Sequence, residues 1–74
     1  MNNYKVYGFT YKSKKIVVIE QPYIPFKNEN GFRYTDNGII HIHLKNGLAP
    51  GAKQLLLHRL IKLRGVKEHK VKNY

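Results

Sequence analysis

The stretch that decides the fold is Phe32-Arg33-Tyr34-Thr35-Asp36-Asn37-Gly38-Ile39-Ile40-His41-Ile42-His43-Leu44-Lys45. Two runs rich in β-branched and aromatic residues flank Asp36-Asn37-Gly38. An Asn-Gly pair between such runs favours a tight turn with positive φ, so the stretch reads as a β-hairpin. Along its second arm the side chains alternate. Ile40, Ile42 and Leu44 face one way, and Ile39, His41, His43 and Lys45 face the other.

Upstream lies a second hairpin. Tyr4 to Tyr11 reads as a strand with Tyr7, Phe9 and Tyr11 on one face. Lys12-Ser13-Lys14-Lys15 reads as the turn, and Ile16 to Glu20 as a β-branched strand apolar on both faces. Pro22 and Pro25 end it, because proline cannot donate to a sheet ladder. Lys27-Asn28-Glu29-Asn30-Gly31 is polar loop. Downstream, Asn46-Gly47 closes the last strand and Pro50 fits the first position of a helix. From Pro50 to Arg64 the spacing is helical: Ala52, Leu56, Leu60 and Leu63 form one apolar stripe, with Leu57 and Ile61 beside it. Gly65 is the expected C-terminal cap, with Lys62 and Arg64 in the last turn.

The expected architecture is therefore α+β. One domain, residues 1–65, has an antiparallel sheet of two hairpins (ββββ) packed against one C-terminal α-helix. Residues 66–74 are read as a basic C-terminal tail or a short edge strand. At 74 residues the chain buries only about 60% of the surface its unfolded form exposes. It has no cysteine, so neither disulfides nor thiolate metal sites support the core. Its longest apolar run, Ile16 to Ile19, is far short of a membrane span, and Met1 to Lys5 has no signal-peptide core. The expectation is a cytoplasmic protein without membrane contact. Asn, Lys, Ile, Tyr and Phe dominate the composition, and their AT-rich codons hint at a phage or mobile element.

Charge suggests the function. Fourteen Lys and Arg face four Asp and Glu, for a formal net charge of +10. Such a surplus of one sign repels itself unless an anionic partner offsets it. It is also uneven, with net +4 over residues 1–52 and net +6 over the shorter 53–74. On the helix, Gln54, His58, Arg59 and Lys62 lie opposite the Leu stripe, with Leu55 among them and Lys53 and Arg64 at its margins. Lys67, Lys70 and Lys72 extend the field, and Lys12, Lys14 and Lys15 form a second cluster at a hairpin tip. These residues are the expected nucleic-acid-binding set, DNA or RNA. Lysine outnumbers arginine, which favours phosphate-backbone contact over base reading. Tyr4, Tyr7, Phe9 and Tyr11 interleave with Lys5 and Lys12. They read either as core under the helix or as a platform for unpaired bases.

Catalytic patterns are sparse. His41, His43 and His58 are candidates for a zinc site or for a small ribonuclease toxin. If the Leu stripe packs on Ile40, Ile42 and Leu44, however, His41 and His43 point away from it, and His58 lies on the far side of the helix. The expectation is surface histidines that gain charge near pH 6.5, with no metal, cofactor or enzymatic activity. There is no phosphate-binding glycine loop, and Ser13 is the only serine.

The strand, short loop and helix over residues 40–64, with Leu57-His58-Arg59-Leu60-Ile61-Lys62, resemble the core of the zincin metallopeptidases. That family includes the type that cleaves phage repressors. Its helix carries His-Glu-x-x-His, two metal ligands and a general base. Here His58 matches, Arg59 replaces the glutamate and Lys62 the second histidine. Both changes put cations where a cation would bind, so the resemblance implies a scaffold without the peptidase chemistry. The order of elements is also similar to the sheet-plus-helix modules at the N-termini of tyrosine integrases, which lay a sheet in the DNA major groove. A different expectation from the same charge is an inhibitor of a host nucleic-acid machine, of anti-CRISPR type, docked on a host nucleoprotein complex.

Overall fold

The computed structural model describes residues 4–63. Four strands, β1 (Lys5–Tyr11), β2 (Lys14–Gln21), β3 (Gly31–Asp36) and β4 (Ile39–Lys45), precede one helix, α1 (Pro50–Lys62). The α+β architecture is as expected. No helix among the described residues is long and apolar enough to cross a membrane. Gly65 and the tail 66–74 lie outside the described residues.

Both hairpins form, each on a two-residue turn. Asn37 and Gly38 take φ of 52° and 77°, the paired positive values that such a turn requires. The β1–β2 turn is tighter than the four residues expected. Lys12 and Ser13 alone take positive φ, 50° and 66°, and Lys14 and Lys15 already belong to β2. This register sets Phe9 opposite Ile16 and Tyr7 opposite Val18.

The joining of the hairpins departs from the expected antiparallel sheet. Strand order is β1-β2-β4-β3, and β2 runs parallel to β4. The sheet is mixed. Residues 22–30 cross the end of β4, so β3 starts at Gly31 opposite Leu44, outside β4. The Asn46 N–H donates to the Gln21 carbonyl and the Lys45 N–H to that of Asn30, closing this end. Burial explains the choice. β2 and β4 carry the β-branched runs, and side by side at the centre they bury Ile16, Val18, Ile40, Ile42 and Leu44. Simple succession of the strands would have left β4 on an edge.

Residues directly opposite one another share a sheet face. On the first face, Tyr7, Ile16, Val18, Ile40, Ile42, Leu44, Gly31 and Arg33 lie together. The helix packs on this face over β3 and β4. Leu60 is fully buried there, with Leu56, Leu57 and Ile61 partly so. Ala52 and Leu63 belong to the expected stripe but are exposed, because they sit near the ends of the helix. The helix stops two residues before Arg64, and Leu63 adopts the left-handed cap with its N–H on the Arg59 carbonyl. Gly31 lets helix and sheet approach closely. A Cβ there would lie 2.9 Å from the His43 carbonyl oxygen and 3.1 Å from Leu56 Cδ2.

Arg33 sits under the helix, only 6% exposed. Its Nη1 donates to the carbonyl oxygens of Leu60 at 2.9 Å and Ile61 at 3.1 Å. These are last-turn carbonyls without intrahelical partners, at the negative end of the helix dipole. One of the three arginines is thus a structural cap.

Candidate nucleic-acid interface

Two exposed cationic clusters stand on this scaffold. The first comprises His58, Arg59 and Lys62 on the outer face of the helix, with Leu55 57% exposed beside them. Helical spacing places them there, since Leu56, Leu57, Leu60 and Ile61 claim the inner face. The second comprises Lys12, Lys14 and Lys15 at the β1–β2 turn, all exposed. Among the described residues, Lys12, Lys14, Lys15, Arg59 and Lys62 make no ion pair.

The helix cluster stands over the β3–β4 side of the sheet and the tip lysines at the β1–β2 side. Lys53 in its first turns reaches Glu20, and Leu60 lies over Arg33, at mid-strand opposite Ile42. Arg59 and Lys62 are exposed there, while Lys12, Lys14 and Lys15 stand at the β1–β2 turn, at the other edge of the sheet. Asp36 is the described acid beside the β3–β4 turn.

Lys53 is placed differently from its neighbours. It is partly buried, and its Nζ lies 3.4 Å from Glu20 Oε2. The Tyr7 hydroxyl donates to the same carboxylate at 2.8 Å. Burial works against the charged form of Glu20, but the Tyr7 hydrogen bond and Lys53 outweigh it and hold the carboxyl below its usual range. Burial, then the bond to Glu20, pushes the Tyr7 phenol up to about 12. Lys53 is thereby compensated within the fold. Arg64, Lys67, Lys70 and Lys72 lie outside the described residues.

The aromatics of β1 divide between the two readings. Tyr7 and Tyr11 pack against the core cluster, whereas Phe9 is 37% exposed. Lys5 and Lys12 place their ammonium groups 6.0 Å and 5.6 Å from the ring centres of Tyr7 and Tyr11.

The histidines correct an expectation. His41 and His43 do face away from the helix, but His43 is not on the surface. It is 5% exposed and stacks at 4.8 Å on Phe32, which Phe26 of the loop 22–30 meets edge-on. His41 stacks in the same way on Tyr34, at 4.7 Å. Gln21 donates through Nε2 to the Tyr23 carbonyl at 3.0 Å, which turns its Oε1 toward His43 Nδ1 at 2.7 Å. An amide oxygen only accepts, so Nδ1 carries a proton and donates it to Gln21. Burial, aided by His41, pushes the imidazole pKa down to about 4. His58 is on the helix, across the sheet from both, so the three imidazoles do not converge. No group of three metal-ligating side chains lies together among the described residues. The strand–loop–helix order of the zincin resemblance is present, with Arg59 and Lys62 pointing to solvent beside His58.

Compared with protein-family models, curated proteins and solved structures, the chain matches none of them.

Proposed function

We propose that this protein binds nucleic acid, DNA or RNA, without catalysis. In this reading, phosphate oxygens are captured by Arg59 and Lys62 on the helix, with His58 beside them, and by Lys12, Lys14 and Lys15 at the hairpin tip. The observation that carries the reading is that both clusters are exposed and, among the described residues, make no ion pair, on a chain of net +10. Such a surface attracts a polyanion and releases its condensed counterions on contact. The sheet fixes the helix, so binding needs no rearrangement of the scaffold.

Fluorescence anisotropy with labelled duplex DNA and single-stranded RNA at about 50 mM salt tests the reading. Wild type should bind, and joint charge reversal at Lys14, Lys15, Arg59 and Lys62 should abolish binding with the circular-dichroism spectrum unchanged. Undiminished affinity in that variant would show that the wrong surface has been chosen. No affinity for free nucleic acid, together with capture of an intact host nucleoprotein complex, would transfer the charged face to an inhibitor function.

A further inference from the structure

We infer, building on the cationic reading above, that the nucleic acid this protein takes is a single strand, one of whose unpaired bases stacks on Phe9. Along β1, Lys5, Tyr7, Phe9 and Tyr11 project from one face of the sheet, the face that also carries the helix. The helix packs on β3 and β4, at the other side of that face. Tyr7 and Tyr11 pack against the core, and Tyr7 is held further by its hydrogen bond to Glu20. Phe9 lies between them and is 37% exposed.

Two cations beside this ring belong to the tip cluster already assigned to phosphate. Lys14 is paired with Tyr11, so its side chain leaves the sheet on the same face as Phe9. Lys12, in the turn, brings its ammonium to 5.6 Å from the centre of the Tyr11 ring. At the other end of the strand, Lys5 places its own 6.0 Å from the centre of the Tyr7 ring. Ammonium groups thus bracket the exposed ring along a row of about 20 Å, at roughly 3.3 Å per residue. β1 carries no acid. Glu20, the described carboxylate on this face of the sheet, is held by Lys53 and Tyr7.

Charge and ring together select the occupant. An acidic peptide would answer the lysines, but it carries no flat ring at every unit. In a duplex each base face is already covered by the neighbouring base pair, so only phosphates can meet this row. In a single strand a base can leave its stack and lie on an aromatic ring, while lysines hold the backbone on either side. Phe9 has no side-chain hydrogen-bonding group, so the contact asks for an unpaired base and not for a particular one.

The test is fluorescence anisotropy of the full chain at about 50 mM salt with labelled oligo-dT and with an abasic strand of the same length and phosphate charge. Duplex DNA scores the cationic face by itself. Oligo-dT should bind about fivefold or more tighter than the abasic strand, the contribution of one stacked base. Oligo-U should show the same preference over its abasic counterpart, since stacking addresses the base and not the sugar. Phe9→Leu keeps an apolar side chain opposite Ile16 but loses the flat ring, and it should erase the preference. Phe9→Trp should keep it and report it directly, because the chain has no tryptophan and a stacked base quenches indole emission. Circular dichroism verifies that both variants fold. Equal affinity of wild type for oligo-dT and the abasic strand would overturn the inference. So would a preference that Phe9→Leu retains, or a Phe9→Trp emission that oligo-dT leaves unchanged. In each of those cases duplex binding, abolished by the reversal at Lys14, Lys15, Arg59 and Lys62, would still stand for the cationic face. Absence of binding to all the strands would instead remove the cationic reading, and the stacking contact with it.

Discussion

Replacing Arg33 by methionine tests whether this cation belongs to the fold or to the surface field. The guanidinium is buried and shares Nη1 between the carbonyl oxygens of Leu60 and Ile61. A hydrogen bond from a charged donor contributes about 1.5–3 kcal/mol, and a buried carbonyl left without a partner costs about 1–3 kcal/mol. A cation at a helix C-terminus adds up to about 2 kcal/mol where partly buried. Because one nitrogen serves both oxygens, these contributions do not add fully. Methionine refills much of the aliphatic volume, so the expected net loss is about 2–4 kcal/mol. Domains of this size have a total stability of roughly 4–11 kcal/mol, at about 0.05–0.15 kcal/mol per residue. At about 4–8 °C per kcal/mol, the midpoint of thermal unfolding should fall by roughly 10–25 °C. Arg33→Lys should fall between the two, because a compact ammonium does not reproduce the planar fork. Urea and thermal melts followed by far-ultraviolet circular dichroism give the answer. A loss below about 0.5 kcal/mol is typical of a surface substitution and would refute the capping role. At temperatures where Arg33→Met remains folded, its nucleic-acid affinity should match wild type.

Three further outcomes are expected. His43 has its pKa lowered to about 4, whereas the unfolded chain takes up that proton near 6.5. Its contribution is therefore intact above pH 6.5 and is lost progressively as pH falls toward 4, by on the order of 1–3 kcal/mol. Urea melts at pH 7 and at about pH 4.5 should show this drop, and His43→Phe, which retains the stack on Phe32, should flatten it; an equal drop in both proteins would refute the assignment. Ser13→Gly should raise stability by about 0.5–1 kcal/mol in the same melts, because Ser13 occupies positive φ at 66°, a region glycine adopts without strain. For nucleic acid, if about six phosphates are engaged on duplex DNA, log K should fall against log salt with a slope near −5; a slope near zero would refute phosphate capture.

The short-range features were legible in the sequence. Asn37-Gly38, the proline pair after β2, Pro50 and the leucine spacing from Leu56 to Leu60 each act within a few residues, through turn geometry or helical periodicity. They set the two hairpins, the helix and its outer cationic face. Charge is additive along a chain, so the net +10 and its weight toward residue 53 onward were equally plain.

Position in the sheet was not legible, because it depends on which pairing buries the most apolar surface over the whole chain. That competition placed β4 beside β2 in parallel, although both strands looked ready for antiparallel neighbours. It also separated residues of one type by their surroundings. Arg33 was drawn under the helix to meet its orphaned carbonyls, Lys53 was matched to Glu20, and His43 was buried neutral against Phe32. Arg59, Lys62 and the tip lysines stayed in solvent. Sequence alone determined how much positive charge the molecule carries; the packing of one sheet face decided which cations remain free to meet a partner.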